Sequence, residues 1–70
     1  MTFLEIFASL YLSPQEIASE SGVPLEVVLN LRNGKPAKER DIRQVLRVVN
    51  DRREKPITLQ DIPAQQILWE

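Results

Sequence analysis

The 70-residue sequence contains no cysteine and no histidine. It can therefore form no disulfide bond or thiolate nucleophile, and it lacks both the usual soft metal ligands and the side chain that most often acts as a general base. Its two glycines, Gly22 and Gly34, stand too far apart to form a glycine-rich phosphate loop. We expect a protein that is not an enzyme and that binds neither a metal nor a cofactor.

Long apolar runs are also missing. No stretch approaches the ~20 residues that a membrane-spanning helix requires. The apolar residues 1–12 include Glu5 and no basic residue, so we do not expect a signal peptide. A chain without cysteine also fits a reducing compartment. These observations predict a cytoplasmic protein with no membrane partner.

The formal net charge of −1 conceals an uneven distribution of charge. Residues 1–31 contain four glutamates and no basic residue, residues 32–55 contain all nine Lys and Arg residues against four acidic ones, and residues 56–70 add two acidic residues. The three segments thus carry −4, +5 and −2. A basic segment inside an acidic chain suits contact with phosphates, and it is equally typical of a solvated helix with mixed charges.

Hydrophobic periodicity and helix-terminal residues divide most of the chain into helices. Ser13-Pro14, followed by Glu16, is a helix start of the capping-box type. Gly22 and Asn33-Gly34 end helices where left-handed backbone is needed. We therefore predict a small all-α domain of four to five helices, with helices at about 2–12, 14–21, 24–32 and 37–51 and an irregular C-terminal tail.

The helical domain is predicted to span residues 1–54 and the tail residues 55–70. The first helix is apolar over most of its circumference, and Trp69 stands beside Ile67 and Leu68. Surfaces of this kind are usually buried, either by the same chain or by a second copy. The tail is accordingly predicted to pack on the domain or to serve as a dimerisation arm.

The stretch QEIASESGVPLEVVLNLRNGK, residues 15–35, has an informative spacing. Ala18 provides a small residue where two helices can cross closely, and Gly22 follows four residues later. The apolar positions around them are Ile17, Val23, Val28 and Leu31. This pattern resembles the helix-turn-helix of the Cro and C1-type phage repressor superfamily, the lambda-repressor-like DNA-binding domains, over residues 4–50. Residues 31–35 are similar to the segment with which many members close the recognition helix.

The resemblance implies a sequence-specific DNA-binding transcriptional regulator, in particular a small repressor. Such a protein binds double-stranded DNA as a homodimer and places its third helix in the major groove. The residues at the base-reading positions are Leu25, Glu26, Leu29 and Asn30. The match places phosphate contacts at Asn33 and Lys35, and charge and position add Ser13, Gln15, Arg32, Lys38, Arg40 and Arg43. Arg43 and Arg47 could instead form a solvated face paired with Glu39 or Asp51.

The third helix also suits a different interpretation. Typical members present Gln, Arg, Ser or Lys to the bases, because these side chains discriminate base pairs. This helix presents two leucines, a glutamate and an asparagine instead. Leu25, Val27 and Leu29, with Glu26 at the rim, would suit an apolar groove on a partner protein. The sequence therefore leaves open a helix-turn-helix module that binds protein rather than DNA.

Overall fold

The first helix begins at a threonine that caps its free backbone N–H groups. In a computed structural model that describes residues 2–69, α1 runs from Phe3 to Leu10. Thr2 Oγ1 accepts a hydrogen bond from the backbone N–H of Glu5 (3.2 Å), and the Glu5 carboxylate accepts one from the backbone N–H of Thr2 (3.1 Å). This reciprocal capping box, which the sequence analysis did not identify, stabilises the helix start. Tyr11 ends α1 in the left-handed conformation at φ 55°.

Helices α2 (Pro14–Ser21) and α3 (Leu25–Arg32) lie where the sequence predicts them. Ser13 Oγ accepts a hydrogen bond from the backbone N–H of Glu16 (3.2 Å), which is the serine half of the predicted capping box. Gly22 ends α2 in the left-handed conformation (φ 78°), and its N–H donates to the Ala18 carbonyl at 3.0 Å. The predicted helix–glycine–helix arrangement is therefore confirmed.

Helix α4 (Glu39–Asn50) begins two residues later than the predicted start at about residue 37. The preceding residues are extended and form β1 (Ala37–Lys38), which pairs in parallel with β2 (Ile67–Leu68) near the C-terminus. Because β1 finds backbone partners in β2, these two residues do not join the helix. The structure thus contains a short strand pair that the sequence did not predict.

The C-terminal tail packs against the helices, which is one of the two roles predicted for it. It contains two short 3-10 turns, Leu59–Asp61 and Ala64–Gln66, before β2. The Asn50 amide both donates to the Ile57 carbonyl (2.9 Å) and accepts from the Ile57 N–H (2.8 Å), so that the tail is held to the end of α4. Ile57, Ile62 and Ile67 are all buried.

The core joins all of these elements. Helix α2 packs against α3 and α4, and α1 packs against α3 and α4. Ile17, Val23, Val28 and Leu31, the four apolar positions of the predicted helix-turn-helix, are buried. Ala18 is partly buried against the same cluster. The predicted small, mostly helical domain is confirmed, and its packing leaves one side of α3 uncovered.

Candidate nucleic-acid interface

Helix α3 is buried along one side only. Val28 and Leu31 are inaccessible to solvent, whereas Leu25 is 39% exposed and Glu26 is exposed. Two further predicted base-reading residues, Leu29 and Asn30, are half-buried. All four therefore reach the surface, although the half-buried pair offers only part of each side chain.

The loop after α3 is held in place by backbone hydrogen bonds. Gly34 adopts a left-handed conformation (φ 84°), and its N–H donates to the Leu31 carbonyl at 3.2 Å. The N–H of Lys35 donates to the Asn30 carbonyl at 2.8 Å, and the N–H of Asn33 donates to the Leu29 carbonyl at 3.0 Å. This geometry leaves Asn33 and Lys35 exposed on a fixed backbone.

A glutamine from the tail supports this loop, and the sequence analysis missed it. The Gln66 side chain is only 4% exposed, and its Nε2 donates to the carbonyls of Leu31 (3.3 Å) and Lys35 (3.1 Å). Carbonyls at the C-terminal end of a helix lack intrahelical partners and need donors of this kind. The sequence feature that could have indicated this role is the position of Gln66 directly before the apolar residues Ile67 and Leu68.

Three predicted contact residues share one groove beside α3. Asn30 from α3, Lys38 from β1 and Arg40 from α4 line this α3 groove. Val27 and Leu68 contribute apolar surface to it. The β1–β2 pairing positions Lys38, because its partner in the strand register is Leu68. The tail therefore shapes a surface that the sequence analysis assigned to the helices alone.

The basic residues near α3 differ in their ion pairing. Within residues 2–69, neither Arg32, Lys35 nor Lys38 has a carboxylate within 4.0 Å. Arg40 lies 4.0 Å from Asp41, and Arg43 lies 3.5 Å from Glu39 one helical turn away. Exposed ion pairs with these N···O distances contribute little to the stability of a protein. Arg43 thus forms the glutamate pair that was the predicted alternative to phosphate contact.

Arg43 is also separated from the α3 groove. It lines a different groove together with Arg47 and Trp69, whereas Leu68 lines the α3 groove. Of the two predicted residues before and in α2, Gln15 is exposed, and Ser13 is half-buried with its hydroxyl accepting the Glu16 N–H. The structure therefore brings Asn30, Lys38 and Arg40 together and places Arg43 elsewhere.

An ion pair that the sequence analysis did not predict links α2 to the chain after α4. Arg52 Nη2 lies 2.7 Å from both carboxylate oxygens of Glu20, and Arg52 Nη1 donates to the Val48 carbonyl at 3.2 Å. The hydrogen bonds that Arg52 donates to the Glu20 carboxylate raise the pKa of Arg52 above its ordinary value. Both charges of this pair are thus directed at each other. Glu26, in α3, is exposed.

Other classes of site find no support in the described part of the chain. Residues 2–69 contain no cluster of three or more acidic side chains close enough to hold a metal ion. None of the helices within that range has the length and apolar character needed to cross a bilayer. Comparison of the chain with protein-family models, with curated proteins and with solved structures found no match.

Proposed function

We propose that the chain is a sequence-specific DNA-binding transcriptional regulator, a small repressor that inserts α3 into the major groove. One observation carries the proposal. Gly22 turns the chain between α2 and α3 in the left-handed conformation, and both helices bury their apolar positions, so that Leu25, Glu26, Leu29 and Asn30 reach the surface. This is the arrangement in which a second helix is presented to a DNA groove.

The residues on α3 have distinct chemistry for base edges. The Asn30 amide can both donate to and accept from adenine, and the Glu26 carboxylate can accept from the cytosine amino group. Leu25 and Leu29 can contact the thymine methyl group. The proposed site thus combines two polar contacts with an apolar strip, which favours half-sites that contain A·T pairs.

Phosphate contacts are proposed for the residues around the end of α3. Arg32, Lys35 and Lys38 are the strongest candidates, because no carboxylate within residues 2–69 neutralises them. Asn33 and Gln15 are exposed beside them in the helix-turn-helix, with Ser13 and Arg40 as further candidates. If four or five phosphates are contacted, log affinity falls with log salt at a slope of about −4.

A binding selection on random duplexes, followed by salt titration of the selected sequence, tests the proposal. Lys38→Ala should weaken binding and make the salt slope shallower by about 1 for each bound copy of the chain. Lys55→Ala is the matched control, because it removes the same charge beyond the far end of α4, whose 12 residues span about 18 Å. Failure to enrich any sequence, or equal losses for the two variants, would contradict the proposal.

The proposal includes a homodimer in the cytoplasm. Helix-turn-helix domains of the resembled superfamily bind paired half-sites as twofold dimers, with recognition helices about 34 Å apart. Two copies double the phosphate contacts of one small domain. The selected DNA should therefore contain an inverted repeat with half-sites about one helical turn apart.

A second candidate function is binding of a protein partner through α3. The exposed fraction of Leu25 and the apolar lining of the α3 groove by Val27 and Leu68 favour it. An apolar interface of this kind resists salt, unlike phosphate contact. The wild-type chain should capture its protein partner equally at low and high salt. Leu25→Asp should abolish this complex.

A further inference from the structure

A second groove lies between α4 and the tail, away from the α3 groove. Its volume is about 650 Å³, and we call it the tail groove. Leu46, Ile57 and Leu59 supply apolar surface, and Trp69, which is 62% exposed, lines it as well. An indole left this accessible beside apolar side chains is typical of an interaction site.

The basic side chains around the tail groove indicate what kind of surface can bind in it. Arg43 and Arg47 line it one helical turn apart, and among residues 2–69 none of those lining it is acidic. Within residues 2–69, Arg47 has no carboxylate within 4.0 Å, and Arg43 has only the exposed pair with Glu39. A complementary surface must therefore be both apolar and acidic.

The outer face of α1 has these two properties. Leu4 and Ala8 are exposed one turn apart, and Tyr11 follows at the end of the helix, with exposed fractions of 58% for Leu4 and 94% for Tyr11. Glu5 lies on the exposed surface of the same helix and is its acidic group. Arg53, from the chain after α4, lines a small cleft beside Glu5. Within residues 2–69, Leu4, Tyr11 and Trp69 are three of the five large hydrophobic residues that are exposed.

We propose that two copies of the chain associate by seating the outer face of α1 of one copy in the tail groove of the other. This inference deepens the dimer part of the proposed function, on which it rests. A twofold operation makes the contact twice, so that each copy buries both its α1 face and its groove. A specific interface covers ~800 Å² per partner, which is roughly a fifth of the 4500 Å² surface of the monomer.

Sedimentation velocity over a range of protein concentrations, without DNA, tests the proposal. Wild type should form a dimer, and Trp69 emission should shift to shorter wavelength as concentration rises, since Trp69 is the single tryptophan. Leu4→Ser with Tyr11→Asn should raise the dimer dissociation constant about tenfold or more. Asn tolerates the left-handed conformation of residue 11, so this variant keeps its fold. The control Leu25→Ser should leave the constant unchanged.

A charge exchange gives an independent test. Glu5→Arg and Arg47→Glu should each stay monomeric, because each homodimer would place like charges in both contacts. Circular dichroism checks that Glu5→Arg, which also loses the capping box of α1, remains folded. An equimolar mixture should dimerise, because both contacts of the mixed dimer then pair opposite charges. Wild type that remains monomeric, a dimer that Leu25→Ser weakens instead, or a mixture that stays monomeric overturns the inference. A normal dimer without DNA binding overturns the proposed DNA function alone.

Discussion

At the scale of single residues, the glycines after α2 and α3 are the most predictable feature of this chain. Gly22 (φ 78°) and Gly34 (φ 84°) take the left-handed conformation that the sequence pattern predicts. A Cβ added at either position would meet nothing within 4 Å. Glycine is therefore favoured at these positions by the left-handed backbone conformation and not by lack of space. The local sequence is enough to predict this conformation.

Gly22→Val should lower the free energy of unfolding by ~1–2 kcal/mol, because a residue with a Cβ is strained in this conformation. The cost is confined to the backbone, since no neighbour obstructs the side chain. Gly22→Asn is the matched control, and it should cost less because Asn tolerates positive φ. Urea denaturation measures both values, and equal stability of the Val variant and wild type would contradict the interpretation.

Tyr11 shows where prediction from single residues fails. It ends α1 at φ 55° although nothing in its side chain favours that conformation. A left-handed residue with a Cβ costs ~1–2 kcal/mol. Tyr11 itself is exposed, and its two neighbours Leu10 and Leu12 are partly buried against the core. Neighbours contributed by the fold, rather than the residue itself, determine where α1 ends, and the predicted end at about Leu12 was therefore too late.

At the scale of elements, the capping box of α1 makes the stability of the protein depend on pH. A hydrogen bond from the Thr2 hydroxyl, which has the larger effect, and a second from the Thr2 N–H lower the pKa of Glu5 below its ordinary value of 4.5. A lowered pKa in the folded state stabilises the protein above the unfolded pKa, and this contribution is lost as pH falls through the folded value. Protonation of Glu5 therefore weakens the start of α1.

Glu5→Gln should accordingly lower the melting temperature at pH 7, and its difference from wild type should shrink as pH falls below about 4.5. Thermal unfolding followed by circular dichroism between pH 3 and 7 measures this. Glu54→Gln removes an exposed carboxylate that makes no hydrogen bond within residues 2–69, and it serves as the control. A pH-independent difference for Glu5→Gln would rule out the capping-box contribution.

The element that supports the α3 loop could not be predicted from local sequence. Gln66 reaches carbonyls of residues 31 and 35 across more than thirty positions in the chain. The β1–β2 pair likewise joins residues 37–38 to residues 67–68, and strands of two residues have no periodicity to detect. Local rules predict α2, the turn and α3, whereas these long-range contacts arise from packing of the tail.

Gln66→Leu should destabilise the protein by about 1–3 kcal/mol, because the Lys35 carbonyl loses its side-chain donor and the Leu31 carbonyl keeps only the Gly34 N–H. Gln65→Leu is the matched control at the neighbouring exposed position, and it should have little effect. Urea denaturation measures the stability, and hydrogen exchange of the Lys35 amide reports on the loop. Equal stability of the two variants would show that the Gln66 hydrogen bonds contribute nothing.

At the scale of the whole molecule, the tail is part of the core. The sequence divides the chain into residues 1–54 and a tail, because prolines and a change in charge follow α4. Folding instead buries Ile57, Ile62 and Ile67 beside the helices and pairs β2 with β1. Neighbouring residues of the tail line the two grooves, Leu68 the α3 groove and Trp69 the tail groove. The tail therefore shapes both candidate interfaces.

Removal of residues 55–70 should abolish cooperative folding. Burial of the three isoleucines contributes roughly 5–9 kcal/mol before the entropy of ordering the tail is subtracted, which is at least as large as the net stability of ~3–5 kcal/mol usual for a domain of this size. Circular dichroism and thermal unfolding of residues 1–54 measure the result. Trp69→Ser, which changes only an exposed side chain of the tail, should retain a cooperative transition. If residues 1–54 unfold as cooperatively as the full chain, the helices alone form the stable unit and the buried tail is dispensable.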